Sequence, residues 1–204
     1  MGQQLGKITY NWPYKFLDHL PKVPQEFVDL AAKDDPNLLG EAYSSSTFEY
    51  GKDPIYTRKL TGTDGNPVTH VGSYRYRMPE PFVNWCQENI TRSGNEWGCS
   101  ISNREEGALG PHTDRSRDFA LLYVVEPGGA DVRTTFWQEH GHPLVRERFL
   151  WRDDYRVLDL VEAADFGVGR WVLINSLVLH SVDHLERHRI TFQLSLEEDI
   201  SEFI

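Results

Sequence analysis

Cysteine is scarce in this chain: Cys86 and Cys99 are the two thiols among 204 residues. A single pair with no second pair elsewhere excludes a zinc ribbon and a disulfide framework, and suits a reducing compartment. Long apolar runs are also missing. None approaches the roughly 18–20 residues that a membrane helix needs, so no membrane is expected as a partner. The opening Met1–Lys7 lacks the basic-then-apolar pattern of a signal peptide, and a cytoplasmic protein is the expectation. Positive charge is in short supply, with 21 Lys and Arg against 31 Asp and Glu and a net charge of -10. Binding by phosphate neutralisation needs the opposite balance, which argues against nucleic acid as a partner. Internal repeats, heptads and low-complexity blocks are absent too.

What is present suits one globular domain. Hydrophobic residues make up 39% of the chain and charged residues 25%, and the length allows a sizeable core. The first part mixes helix and loop. Ile8–Tyr10 is a short strand candidate, and Pro13 and Pro21 limit anything longer. Pro24–Lys33 predicts a helix, with Pro24 at its start and Phe27, Leu30 and Ala31 on one face. Residues 34–68 predict loops with one short hairpin. Val71–Arg77 alternates as a strand does. Pro79–Ile90 predicts a second helix burying Phe82, Trp85 and Cys86, so Cys86 belongs to the core.

From residue 97 onward, short strand candidates alternate with turn signals. They are Trp97–Ser102, Phe119–Val125, Thr134–Trp137, Leu158–Val161, Arg170–Ile174 and His188–Leu196. Gly107–Pro111 predicts a turn. This spacing points to a mainly β fold with flanking helices, a sandwich or barrel.

The chemistry centres on Pro111-His112-Thr113-Asp114. Strand alternation would set His112 and Asp114 on one face near a strand end. An imidazole and a carboxylate on one rim supply two of the three ligands of a facial triad for non-haem iron. His180 is the best third ligand, following apolar Trp171–Ile174 and Leu177–Leu179. Arg189 comes nine residues later, with Thr191 on the same strand face. A guanidinium and a hydroxyl so placed suit the outer carboxylate of a dicarboxylate whose other end chelates a metal. His184 lies too close to Arg189 to compete. His184-Leu185-Glu186-Arg187-His188 is not the HExxH of zinc proteases. His140 and His142 sit in a polar turn. Arg115 and Arg117 follow the metal pair, where either could meet an anionic substrate group or lie at the surface.

Taken together, Pro111–Asp114, Phe119–Val125, Gly169–Ser176 leading to His180, and Arg189-Ile190-Thr191 resemble the 2-oxoglutarate/Fe(II)-dependent dioxygenases. The segment Asn175–Leu196 is most similar to the branch that hydroxylates aspartyl or asparaginyl residues and proline. The resemblance spans roughly residues 97–196. It implies a double-stranded β-helix, the jelly-roll or cupin-like fold, with residues 71–196 as its core and 1–70 as mixed helix and loop support within a single 1–204 domain. It implies Fe(II) held by His112, Asp114 and His180, and 2-oxoglutarate held by Arg189 with help from Thr191 and from the Tyr123 phenol. O2 would be the other cosubstrate, and succinate and CO2 the coproducts. The implied activity is hydroxylation of an unactivated C–H bond in an amino acid or peptidyl residue, so the partner is a small-molecule or peptide substrate. One departure is that aspartyl hydroxylases lack the metal carboxylate, whereas Asp114 is present. The alternative is a non-catalytic, cupin-like protein that binds a metal as a binder or sensor.

Overall fold

Period-two alternation in the second half of the chain builds two antiparallel sheets that face each other. The structure is a computed structural model and describes residues 10–33, 59–92, 97–102, 106–197 and 200–204. The first elements are β1 (Tyr14–Phe16), α1 (Gln25–Ala32), β2 (Lys59–Thr61), β3 (Pro67–Thr69), β4 (Ser73–Arg77) and α2 (Glu80–Asn89). Then come β5 (Trp97–Ser102), β6 (Gly107–His112), β7 (Phe119–Glu126) and β8 (Arg133–Glu139). The last four strands are β9 (Leu158–Ala164), β10 (Trp171–Asn175), β11 (Leu179–Leu185) and β12 (Ile190–Leu196).

The major sheet has the order β1-β10-β7-β12-β5-β4 and the minor sheet β6-β11-β8-β9, with β2 and β3 forming a separate hairpin. From β5 to β12 the chain passes from one sheet to the other at each step except the β8–β9 hairpin. That interleaving is the double-stranded β-helix. Its strands supply three apolar layers. On the outer face of the major sheet, α1 and α2 pack Phe27, Ala31, Phe82 and Cys86 against Tyr123, Trp171, Phe192 and Leu194. Phe82 sits 5.2 Å from Phe27 and 4.7 Å from Phe192, ring to ring. Between the sheets lie Ala120, Leu122, Val124, Val172 and Ile174 against Phe136 and Val178. Outside the minor sheet, Leu60 of the hairpin packs with Ala108, Trp137, Tyr155 and Leu179. Gly110 makes room for it, since a Cβ there would stand 2.8 Å from Leu60 Cδ2.

Both helices fall where the sequence puts them. The first strand does not: Tyr10 is irregular, residues 8 and 9 lie outside the described set, and β1 follows Pro13 instead. Its Tyr14 pairs with Ile174, and the Pro13 carbonyl accepts from the Asn175 N–H at 2.8 Å. Gly107–Pro111 is strand rather than turn. Gly107 is there for close approach: at φ +154° a Cβ would stand 2.3 Å from the Thr69 carbonyl oxygen. Within 34–68, the hairpin β2–β3 is present, and residues 34–58 lie outside the described set. Among the described residues no helix is long and apolar enough to cross a membrane.

Candidate metal centre

His112 ends β6 and His180 is the second residue of β11, and the two residues pair directly across the minor sheet. Their rings lie 4.5 Å apart, centroid to centroid. Asp114 stands two residues beyond the end of β6, where its N–H donates to the Ser176 carbonyl at 3.1 Å. One ligand atom from each of His112, Asp114 and His180 falls within 4.8 Å of the others. His112 Nε2 and Asp114 Oδ1 are 3.8 Å apart.

Hydrogen bonds fix which ring atoms face inward. His112 Nδ1 bonds the Gly110 carbonyl at 2.8 Å, and His180 Nδ1 bonds the Val178 carbonyl at 2.9 Å. A carbonyl accepts only, so each Nδ1 carries the proton and each Nε2 keeps its lone pair for a metal. Burial, and then the neighbouring His180, hold His112 down to about 3. Burial also lowers His180. For Asp114 burial pushes the pKa upward, but the Arg117 guanidinium, by its charge and its hydrogen bond, outweighs it and holds the carboxyl well below the usual range. Neutral imidazoles and an ionised carboxylate are the protonation states that metal ligation requires.

Supporting contacts orient the three candidate ligands. Arg117 Nε donates to Asp114 Oδ2 at 2.5 Å, which leaves Oδ1 toward the histidines. Trp151 stacks on His112, with centroids 5.4 Å apart, and Phe136 backs His180 at 6.4 Å. The connection between β8 and β9 is fastened to the ligand loop. Thr113 N–H donates to the Leu150 carbonyl at 2.9 Å, Phe149 N–H to Asp114 at 3.1 Å and Arg152 N–H to Pro111 at 2.9 Å. The Thr113 hydroxyl donates to the Glu147 carbonyl and accepts from the Leu150 N–H, both at 2.8 Å. Farther along, Glu139 binds Arg152 through two hydrogen bonds and also pairs with Arg146. Phe149 has φ 64° and is 55% exposed, with Arg115 over its ring at 5.0 Å. A non-glycine residue in this region is uncommon, and such outliers gather at functional loops.

Arg189 lies immediately before β12. Burial lowers it to about 10, so it stays cationic at neutral pH. Its guanidinium donates to the Pro127 carbonyl at 3.2 Å and to the Thr134 hydroxyl at 3.4 Å. Thr191 is buried beside it, but its hydroxyl accepts from Gln193 Nε2 at 2.9 Å. The hydroxyl that Arg189 meets therefore belongs to Thr134 on β8. Tyr123 is a correction. It alternates with Leu122 and Val124, which pack with Phe136 between the sheets, so its ring points to the helices. It packs 4.9 Å from Trp171, apart from the metal ligands. Arg117 is 6% exposed rather than on the surface. His184 is exposed and in a left-handed conformation, at an irregularity of β11. Thr134, Gln193 and Trp151 had no local signal in the sequence, because their roles depend on pairing across sheets.

No family model matches the chain, and no curated protein matches it. Solved structures do resemble it. A prolyl-4-hydroxylase from Pseudomonas putida is 13% identical with a TM-score of 0.44, over 94% of this chain and 95% of that one. Escherichia coli ycfD is 14% identical with a TM-score of 0.45, over 95% of this chain and 52% of that one. An oxidoreductase of the 2OG-Fe(II) oxygenase family from Burkholderia pseudomallei is 13% identical with a TM-score of 0.38, over 84% of this chain and 93% of that one. These are distant likenesses, and the fold assignment stands on the strand order itself.

Proposed function

We propose that the chain is a 2-oxoglutarate- and Fe(II)-dependent oxygenase that hydroxylates a C–H bond of an amino acid or peptidyl residue. The observation that carries this reading is the convergence of His112 Nε2, His180 Nε2 and Asp114 Oδ1 at the rim of the barrel. Both imidazoles are held in the tautomer a metal needs. Two histidines and one carboxylate with open positions suit non-haem Fe(II), and their oxygen and nitrogen donors fit that ion. His112, Asp114 and His180 would hold Fe(II), which with 2-oxoglutarate and O2 would supply oxidative decarboxylation to succinate and CO2 coupled to hydroxylation.

The chain's own residues orient and exclude. Arg117 fixes the free oxygen of Asp114 toward the histidines. Trp151 and Phe136 shield the two rings from water. Arg189, half-buried on the inner face with Thr134, holds the far carboxylate of the cosubstrate. The connection carrying Phe149 borders the ligand loop and is placed to meet a substrate there. Its exposed ring suits a small molecule or a peptide equally.

The test is succinate formation from 2-oxoglutarate after anaerobic loading with Fe(II) and admission of O2. Wild type is expected to turn over slowly even without its substrate. His112→Ala is expected to lose this turnover, and Arg189→Ala to raise KM for 2-oxoglutarate about 10–100-fold, the worth of a charged hydrogen bond. Full turnover by His112→Ala would refute the proposal. A metal-loaded protein that fails to bind 2-oxoglutarate would favour the binding or sensor protein.

A further inference from the structure

The Asp114 carboxylate is held by a chain of contacts that runs back to β12. Arg117 donates from two different nitrogens: Nε to Asp114 Oδ2 at 2.5 Å and Nη1 to Gln193 Oε1 at 3.1 Å. Gln193 is itself fixed at both ends of its amide. Its Oε1 also accepts from Arg75 Nη2 at 2.9 Å, and its Nε2 donates to the Thr191 hydroxyl at 2.9 Å. A flipped amide would turn its NH2 toward two guanidinium groups, so the network admits one orientation.

A guanidinium is planar and its donors leave in fixed directions. A bond to Asp114 alone would let Arg117 pivot about that contact. The second bond, made by another nitrogen, removes this freedom and sets the direction from which Nε reaches Oδ2. Gln193 does this without charge. A carboxylate at that position would compete with Asp114 for the guanidinium, whereas an amide oxygen holds Arg117 in place and leaves the ion pair to Asp114. Arg117 is almost fully buried, so water offers little substitute for the contact. The strand that begins just after Arg189 thus also reaches the metal carboxylate.

We propose that Gln193 is a positioning residue of the metal centre: through Arg117 it keeps Asp114 Oδ2 engaged and Oδ1 directed to the histidines. The proposal rests on the metal-site reading and not on which reaction the metal serves.

Mn(II) is the probe, added to the intact chain without 2-oxoglutarate, with the unbound ion counted from its EPR signal. No turnover is needed. Outer-sphere partners are worth about 10–100-fold in metal affinity, and Gln193→Leu is expected to weaken Mn(II) binding by that factor. The exchange is neutral for neutral and leaves the Arg117 charge in place, so the loss reports orientation rather than electrostatics. Gln193→Met, closer in length, is the second variant if Gln193→Leu folds poorly. The deciding comparison is a double-mutant cycle. In an Arg117→Met background Gln193→Leu should weaken Mn(II) no further, because the residue it acts through is gone. A merely structural effect on β12 would instead add to that of Arg117→Met. Phe192→Ala, which loosens the same strand from its helix face, should leave the Mn(II) affinity of the folded protein unchanged. Full affinity in the Gln193 variants, additive losses in the cycle, or an equal loss in Phe192→Ala would overturn the proposal. A wild type that binds no Mn(II) would refute the metal centre and the proposal with it, a result distinct from Mn(II) bound equally by wild type and variants.

Discussion

The two faces of the major sheet use the same strands for different ends. On β12, Ile190, Phe192, Leu194 and Leu196 turn to the helices, while Thr191 and Gln193 turn to the barrel. On β7 both faces are apolar: Leu121, Tyr123 and Val125 on one side, Ala120, Leu122 and Val124 on the other. Stability is concentrated on the helix side and chemistry at the rim of the barrel side. The difference teaches that alternation reveals a strand's function only where one of its faces is polar.

The sharpest break in that comparison is His180→Ala. Iron-dependent formation of succinate should fall more than about 100-fold, beyond what loss of an outer-sphere partner costs. Its circular dichroism and cooperative unfolding should persist, because the side chain lies at the rim. On the opposite face Phe192→Ala should do the reverse. Its ring is fully buried against Phe82, so truncation should cost about 3–5 kcal/mol, read from the denaturant midpoint. KM for 2-oxoglutarate of the folded fraction should not change.

Acid provides an intermediate effect. The hydrogen bond from Arg152, aided by Arg146, lowers Glu139 from 4.5 to about 2. A carboxyl with a depressed folded pKa adds stability above its unfolded value and loses it as pH falls through the folded one. Glu139 should therefore contribute fully above about pH 4.5, with the contribution fading toward pH 2. Glu139→Gln should lose on the order of 2 kcal/mol at neutral pH and unfold with a shallower pH dependence over that window. Chemical denaturation at several pH values checks this. Tyr123→Phe should have the smallest effect. Its hydroxyl meets the Val23 backbone, so about 1 kcal/mol of stability should go while KM for 2-oxoglutarate stays the same. A raised KM would move Tyr123 back to the barrel side.

The same contrast explains what was legible in the sequence. β5 and β12 were readable because of their composition and alternation, and the clustering of His112, Asp114 and His180 because few residue types suit a metal site. Tyr123 was misplaced because β7 is apolar throughout, so nothing local told its faces apart. Thr191 and Arg189 do share a face, yet the hydroxyl beside Arg189 comes from Thr134 in the other sheet. β6 was mistaken for a turn because its glycines serve close packing against Thr69 and Leu60. Contacts of this kind arise only when the sheets close, and no window of sequence contains them.

The connection from β8 to β9 has a consequence for redesign. Its backbone is hydrogen-bonded to residues 111, 113 and 114, so the loop that borders the entrance also braces the ligand strand. Insertions or deletions there would disturb the geometry of the candidate metal site and, on the proposed function, substrate choice with it. Side-chain exchange at Phe149 leaves those backbone bonds in place. A library that varies side chains at constant loop length should therefore retain metal occupancy, whereas one that varies loop length should yield many folded but iron-free members.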